Sequence, residues 1–131
     1  MAKKINVKNS VVYKNDDSTF NYYGWPSVTR LPDGNLAAAA SGFRVEHVCP
    51  FGKAVMFISR DEGLTWEDPR VIIDTPLDDR DAGIVAFEGN KVMVTSFNAT
   101  VDFQYKDIKA RPDHPRFDLI MSYLDSVDAK A

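Results

Sequence analysis

Between two apolar runs, Ala54-Val55-Met56-Phe57-Ile58 and Val71-Ile72-Ile73, the chain reads Ser59-Arg60-Asp61-Glu62-Gly63-Leu64-Thr65-Trp66. Short apolar runs bounded by turn residues read as β-strands, so the spacer has to reverse the chain. Its residues suit that task. An aspartate carboxylate accepts hydrogen bonds from N–H groups of its own turn, and glycine takes a backbone conformation that other residues resist. Ser59 and Thr65 can tie the strand ends, and Trp66 can bury its ring between strands. The stretch predicts an antiparallel pair closed by a side-chain staple. It gives Asp61 a structural role.

Strand signals continue on both sides. Residues 27–31 alternate in polarity and run into Pro32-Asp33-Gly34-Asn35, a tight-turn sequence in which proline presets φ and Asp-Gly accepts positive φ. The chain returns through 36–41, whose four successive alanines suit a strand packed closely from both sides. Residues 53–59 and 69–74 make the third and fourth strands. The pattern then restarts, with a strand at 82–87, a turn at Glu88-Gly89-Asn90-Lys91 and a partner strand at 92–97. A short N-terminal strand is expected within 5–13. The stretch 98–116, with Pro112 and Pro115, reads as a loose insert. In 117–124, Phe117, Leu119, Met121 and Tyr123 alternate like a strand. Leu119, Ile120, Tyr123, Leu124 and Val127 also fit one helix face. The strand reading is preferred because the hairpin before it needs a neighbour.

The turn at Asp33-Gly34 recurs at Gly89-Asn90 about 55 residues on, near the roughly 40 to 50 residues of a four-stranded propeller blade. The expected fold is all-β. Blade one spans about 24–74 and blade two about 80–125. A simple antiparallel sandwich fits the same periodicity.

Composition removes several function classes. The net charge of −3 comes with scattered Lys and Arg residues and no basic patch, so no nucleic-acid partner is expected. No run approaches the roughly 20 apolar residues that span a bilayer, so no membrane partner is expected. The N-terminus lacks an apolar signal core, which predicts a cytoplasmic protein, or a secreted one if a signal was removed. Cys49 is the single cysteine and reads as a buried thiol. No zinc spacing or phosphate-cradling glycine motif occurs, so neither a metal nor a cofactor is expected.

The five residues Ser59, Asp61, Gly63, Thr65 and Trp66 form S-x-D-x-G-x-T-W, which resembles the Asp box between the third and fourth strands of sialidase-like propeller blades. The likeness to this bacterial-neuraminidase-repeat superfamily extends over about 23–97. Tyr23-Gly24-Trp25-Pro26 resembles the opening of the first blade, and Asp79-Arg80-Asp81-Ala82-Gly83 the opening of the second. The resemblance implies a six-bladed β-propeller of which this chain supplies roughly the first two blades, each a four-stranded antiparallel sheet. It also implies an exo-sialidase-like glycosidase acting on a glycan with an anionic or polar terminal sugar. Sialidases of this kind bind the substrate carboxylate with three arginines, whose planar guanidinium groups match it. They use a Tyr–Glu pair as nucleophile and base, with an Asp after the first blade's second strand as acid/base.

This sequence departs from that pattern in two places. Gly24 occupies the slot of the first family arginine. The acid/base loop, from Gly42 to Lys53, holds no Asp, so Glu46 and His47 are its proton-transfer candidates. Arg44, Arg80, Asp81 and Trp25 are the candidate substrate-binding residues. Each has a plainer alternative. Arg44 could pair with Glu46 or Asp81, His47 could be a hydrogen-bonded loop residue, Glu46 a solvated carboxylate, and Asp78, Asp79 and Asp81 turn caps. Six blades at roughly 50 residues each need about 300 residues, against 131 here. The reading is therefore an N-terminal portion, completed either by further blades or by self-association. The alternative function is a non-catalytic module that binds carbohydrate or only assembles.

Overall fold

The structure is a computed structural model that describes residues 6–17, 19–89 and 91–128. It is mostly β. Strands β1 (Tyr22–Arg30), β2 (Leu36–Arg44), β3 (Lys53–Ser59) and β4 (Arg70–Ile73) form one antiparallel sheet in the order β1-β2-β3-β4. Strands β5 (Asp78–Phe87) and β6 (Lys91–Ala99) form a second, two-stranded sheet. Helices α1 (Val101–Lys109) and α2 (Phe117–Asp128) follow. No described helix is long and apolar enough to cross a membrane.

The alanine run lies in β2, between β1 and β3, and is buried on both faces. Ala38 and Ala40 join Val55 and Phe57 in one core, against which Tyr13, Tyr23, Phe43 and Trp66 pack. Ala39 joins Ala54 and Ala82 of β5 in another. Small side chains let the second sheet approach closely. At that contact the Ser27 hydroxyl accepts from the Ile84 N–H and donates to the Ala82 carbonyl, both at 3.0 Å. The Thr29 hydroxyl accepts from the Ala86 N–H at 3.2 Å. Two hydroxyls of β1 thus engage backbone groups of β5 that would otherwise be buried unpaired.

The tight turn forms at Leu31–Asn35, with Gly34 at φ 89°. The second turn places Gly89 at φ 73°, and its neighbour Asn90 lies outside the described residues. β3 and β4 run antiparallel on either side of Ser59–Trp66. Within that turn Asp61 accepts from the Thr65 N–H (2.8 Å) and hydroxyl (2.6 Å) and from the Ser59 hydroxyl (2.9 Å). Ser59 Oγ accepts from the Gly63 N–H at 2.8 Å.

Four expectations need correction. The segment 117–124 is not a third strand of a second blade. It lies in α2, because the buried residues, Ile120 and Leu124, are four apart and pack on Ile108 of α1, whereas Leu119 of the alternating set is 39% exposed. The stretch 98–116 is not a loose insert throughout. Thr100 caps α1 by accepting from the Phe103 N–H at 3.2 Å, and Asp102 sits in its first turn. The N-terminal strand within 5–13 is absent over 6–13, and Ile5 lies outside the described residues. Tyr13 there lies on the sheet face, its ring 5.3 Å from Tyr23 and 5.7 Å from Phe57, and so pairs with no strand edge. The second sheet has two strands among the described residues where a four-stranded blade was expected.

Candidate functional site

Strand irregularities build the site. The β1–β2 register breaks between Gly24 and Ser27, and Trp25 there has φ 53°. The β5–β6 register breaks between Arg80 and Gly83, and Asp81 there has φ 51°. Phe43, near the end of β2, has φ 54°. Left-handed backbone costs an L-residue about 1–2 kcal/mol, and bulges of this kind re-aim side chains. The Asp81 N–H is held by the Ser41 hydroxyl at 2.8 Å.

These bulges bring Trp25, His47 and Arg80 together. The Trp25 and His47 rings lie 5.1 Å apart, tilted by 35°. The guanidinium carbons of Arg44 and Arg80 each lie 5.3 Å from the Trp25 ring centroid, within cation–π range. Arg80 is also 5.8 Å from the Phe97 ring. Its Nη2 is 2.9 Å from His47 Nε2. A guanidinium only donates, so Nε2 accepts, and this partner assigns the imidazole proton to Nδ1. His47 is exposed, as is Asp81, whose Oδ1 is 4.0 Å from Arg80 Nε.

Beneath this cluster the charges are buried. Arg44 and Asp78 are fully buried, with Arg44 Nη2 2.6 Å from Asp78 Oδ1. Arg44 also donates to the backbone carbonyls of His47 (2.6 Å), Glu46 (3.3 Å) and Asp79 (3.3 Å). It therefore shapes the loop that carries His47 and reaches no solvent. A Cβ on Gly52 would come within 2.2 Å of Arg44 Nη1 and 2.7 Å of Asp78 Oδ1, so this glycine is required by close approach. The Arg44–Asp78 contact is an ion pair without hydrogen-bond geometry. Asp78 Oδ1 and Arg80 Nε are buried without hydrogen-bond partners. Asp79 is tied to the Thr75 N–H (2.6 Å), the Thr75 hydroxyl (3.0 Å) and Asn98 (2.5 Å).

Glu46 turns the other way. Its carboxylate takes a two-point contact from Arg111 at 2.7 and 3.1 Å, and His114 Nε2 lies 3.0 Å away. This carboxylate raises the Arg111 pKa above its ordinary value. Arg111 also pairs with Asp107 of α1. Glu46 and His47 are thus adjacent in sequence but belong to different clusters, one clamping the helices and one facing Trp25. Cys49 is buried, its Sγ accepts from the Val45 N–H at 3.3 Å, and burial pushes its thiol pKa up.

Sequence reasoning did not single out Arg111, His114 or Phe97. The Thr100 cap and Asp102 were available signals that 101–109 is helical and could bring Arg111 back to the β2–β3 loop. Among the described residues no group of three or more His, Cys, Asp or Glu side chains is arranged to hold a metal ion. Compared with family models, curated proteins and solved structures, the chain matches none.

Proposed function

We propose that this chain supplies the substrate-facing part of a sialidase-like glycoside hydrolase. Its sheets would be the first two blades of a β-propeller. Its substrate would be a glycan ending in an anionic or polar sugar. The observation that carries this reading is the convergence of Trp25, His47, Arg80 and Asp81 at strand bulges, over buried Arg44 and Asp78. A half-buried indole offers a stacking face for a sugar ring, and Arg80, 8% exposed and 3.5 Å from Asp78 Oδ2, supplies positive charge beneath it. Asp81 is an exposed acceptor for hydroxyls. His47 is the proton-transfer group, since imidazole exchanges protons near neutral pH. Arg44 acts as a positioning residue by holding the His47 loop.

One observation favours a non-catalytic glycan-binding module instead. Most glycosidases use two carboxylates, and Glu46 is committed to Arg111 and His114, which leaves Asp81 as the exposed carboxylate near Arg80. A panel of sialosides, uronides and rhamnosides with reporter aglycones separates the two readings. Aglycone release that falls at least about a hundredfold in His47→Ala, the scale of one general acid–base group, supports the hydrolase. Saturable sugar binding that needs Trp25 and Arg80, with no release from any reporter, supports the module. Release that His47→Ala leaves unchanged removes His47 from the chemistry.

A further inference from the structure

A cavity lies away from the Trp25 cluster. It has a volume of about 560 Å³ and opens between the N-terminal segment, the β2–β3 loop, the β4–β5 connection and α2. Neither Trp25, His47, Arg80 nor Asp81 lines it. Natively packed proteins carry few voids larger than a water molecule, whereas ligand pockets run from about 300 to 1,000 Å³.

Its wall is aromatic and its rim is charged. Phe20 meets Phe51 edge-on at 5.5 Å, and Phe51 meets Tyr123 at 4.6 Å. Asn15 shapes the N-terminal segment locally by donating to the Phe20 carbonyl at 2.9 Å. At the rim Lys53 Nζ lies 2.6 Å from Asp74 Oδ2. Asp17 accepts from the Thr19 and Phe20 N–H groups, and these bonds together with the charge of Arg116 lower its pKa. Lys53 thus offsets the Asp74 charge at the rim, so a ligand with net charge gains little there. What the rim offers is donors and acceptors side by side.

We infer that this cavity is a second binding site, taking a neutral pyranose unit. Ring C–H faces pack on the aromatic wall, and neighbouring hydroxyls bridge the Lys53 donor and the Asp74 acceptor. The inference stands on wall and rim chemistry and does not depend on the reading of the Trp25 cluster.

The test is a saturation-transfer and chemical-shift titration of the whole chain. The probes are methyl β-glucopyranoside, methyl β-galactopyranoside, methyl α-mannopyranoside, glucuronate and p-cresol. At least one neutral glycoside is expected to bind saturably and to shift ring resonances of Phe20 and Tyr123, more strongly than glucuronate does. Lys53→Met, which keeps the aliphatic stem, and Phe20→Ala, which spares the helix core, should each weaken that binding at least about tenfold, or about 1.4 kcal/mol. Trp25→Phe should leave it unchanged. Binding of p-cresol alone would overturn the proposal in favour of a purely aromatic ligand. No shift with any probe in a natively folded chain would also overturn it, as would loss of sugar binding in Trp25→Phe.

Discussion

The turn between β3 and β4 and the cluster around Trp25 both hold backbone in left-handed conformations, but they satisfy their polar groups differently. In the turn, Glu62 (φ 59°) is followed by Gly63 (φ 81°), so glycine takes one of the two costly positions. Asp61 and Ser59 accept from backbone N–H groups, the Ser59 hydroxyl donates to Asp61, and Arg30 clasps Glu62 through two bonds of 2.8 Å. At the cluster, Trp25, Phe43 and Asp81 carry the left-handed conformation with no glycine among them. Two charged side chains there keep buried atoms without hydrogen-bond partners. The turn has one such atom, Trp66 Nε1. A staple that only has to hold converges on satisfied bonds. The cluster instead keeps strained backbone over a buried Arg44–Asp78 ion pair.

The sharpest way to break this contrast is to disturb the buried charge. Arg44→Met leaves buried Asp78 with Arg80, 3.5 Å from its Oδ2, as its remaining counter-charge and should cost about 3 kcal/mol in urea unfolding. Arg44→Met with Asp78→Leu should recover most of that loss. A single-variant loss below about 1 kcal/mol, as for a surface pair, would show that the cluster is not under electrostatic tension. At the turn, Trp66→Ala should cost about 3 kcal/mol, the low end for a large aromatic because the ring is only partly buried. Ligand binding at the cluster should not change with it.

A smaller and more pointed difference separates two backbone substitutions. Gly63→Ala forces a Cβ into left-handed backbone and should cost about 1 kcal/mol. Asp81→Gly relieves that same strain but frees the unfolded chain, so its stability should stay within about 0.5 kcal/mol of the parent. Glycan binding should nonetheless fall. A clear destabilisation by Asp81→Gly would mean that the bulge is held by its side chain and is not strained.

The smallest effect is in pH. Hydrogen bonds from Thr65 lower the pKa of Asp61 below the ordinary aspartate value. A depressed folded-state pKa contributes stability that is present above the unfolded value and lost as pH falls through the folded one. Asp61→Asn should therefore flatten the acid limb of the stability curve, below the usual aspartate range, and leave the slope near neutrality unchanged. An unchanged acid limb would show that the Thr65 bonds to Asp61 do not set the acid sensitivity.

Local rules made much of this legible. Alternation and turn residues placed β1 to β4 and the β5–β6 hairpin within a few residues, because period-two patterning and Asp-Gly chemistry act over short range. The Ser59–Trp66 turn was readable for the same reason, as the bonds among Ser59, Asp61, Gly63 and Thr65 span at most four residues. Helix α2 was not, since Phe117, Leu119, Met121 and Tyr123 satisfy a strand pattern as well as Ile120 and Leu124 satisfy a helix. That choice was made by a surface elsewhere in the chain, Ile108 with Val45 and Phe51.

The sequence by itself determined an antiparallel β unit with a stapled turn, and it named Trp25, Arg44, Glu46, His47, Arg80 and Asp81 as groups worth weighing. Only the tertiary structure decided how they divide. Arg44 was drawn beneath the cluster by Asp78, thirty-four positions away in the chain. Glu46 was drawn to the helices by Arg111, sixty-five positions away. His47 was left against Trp25 and Arg80. The physical reason is range. Turn and strand signals are written in neighbouring residues, whereas a charged side chain takes whichever partner the fold brings within hydrogen-bond distance.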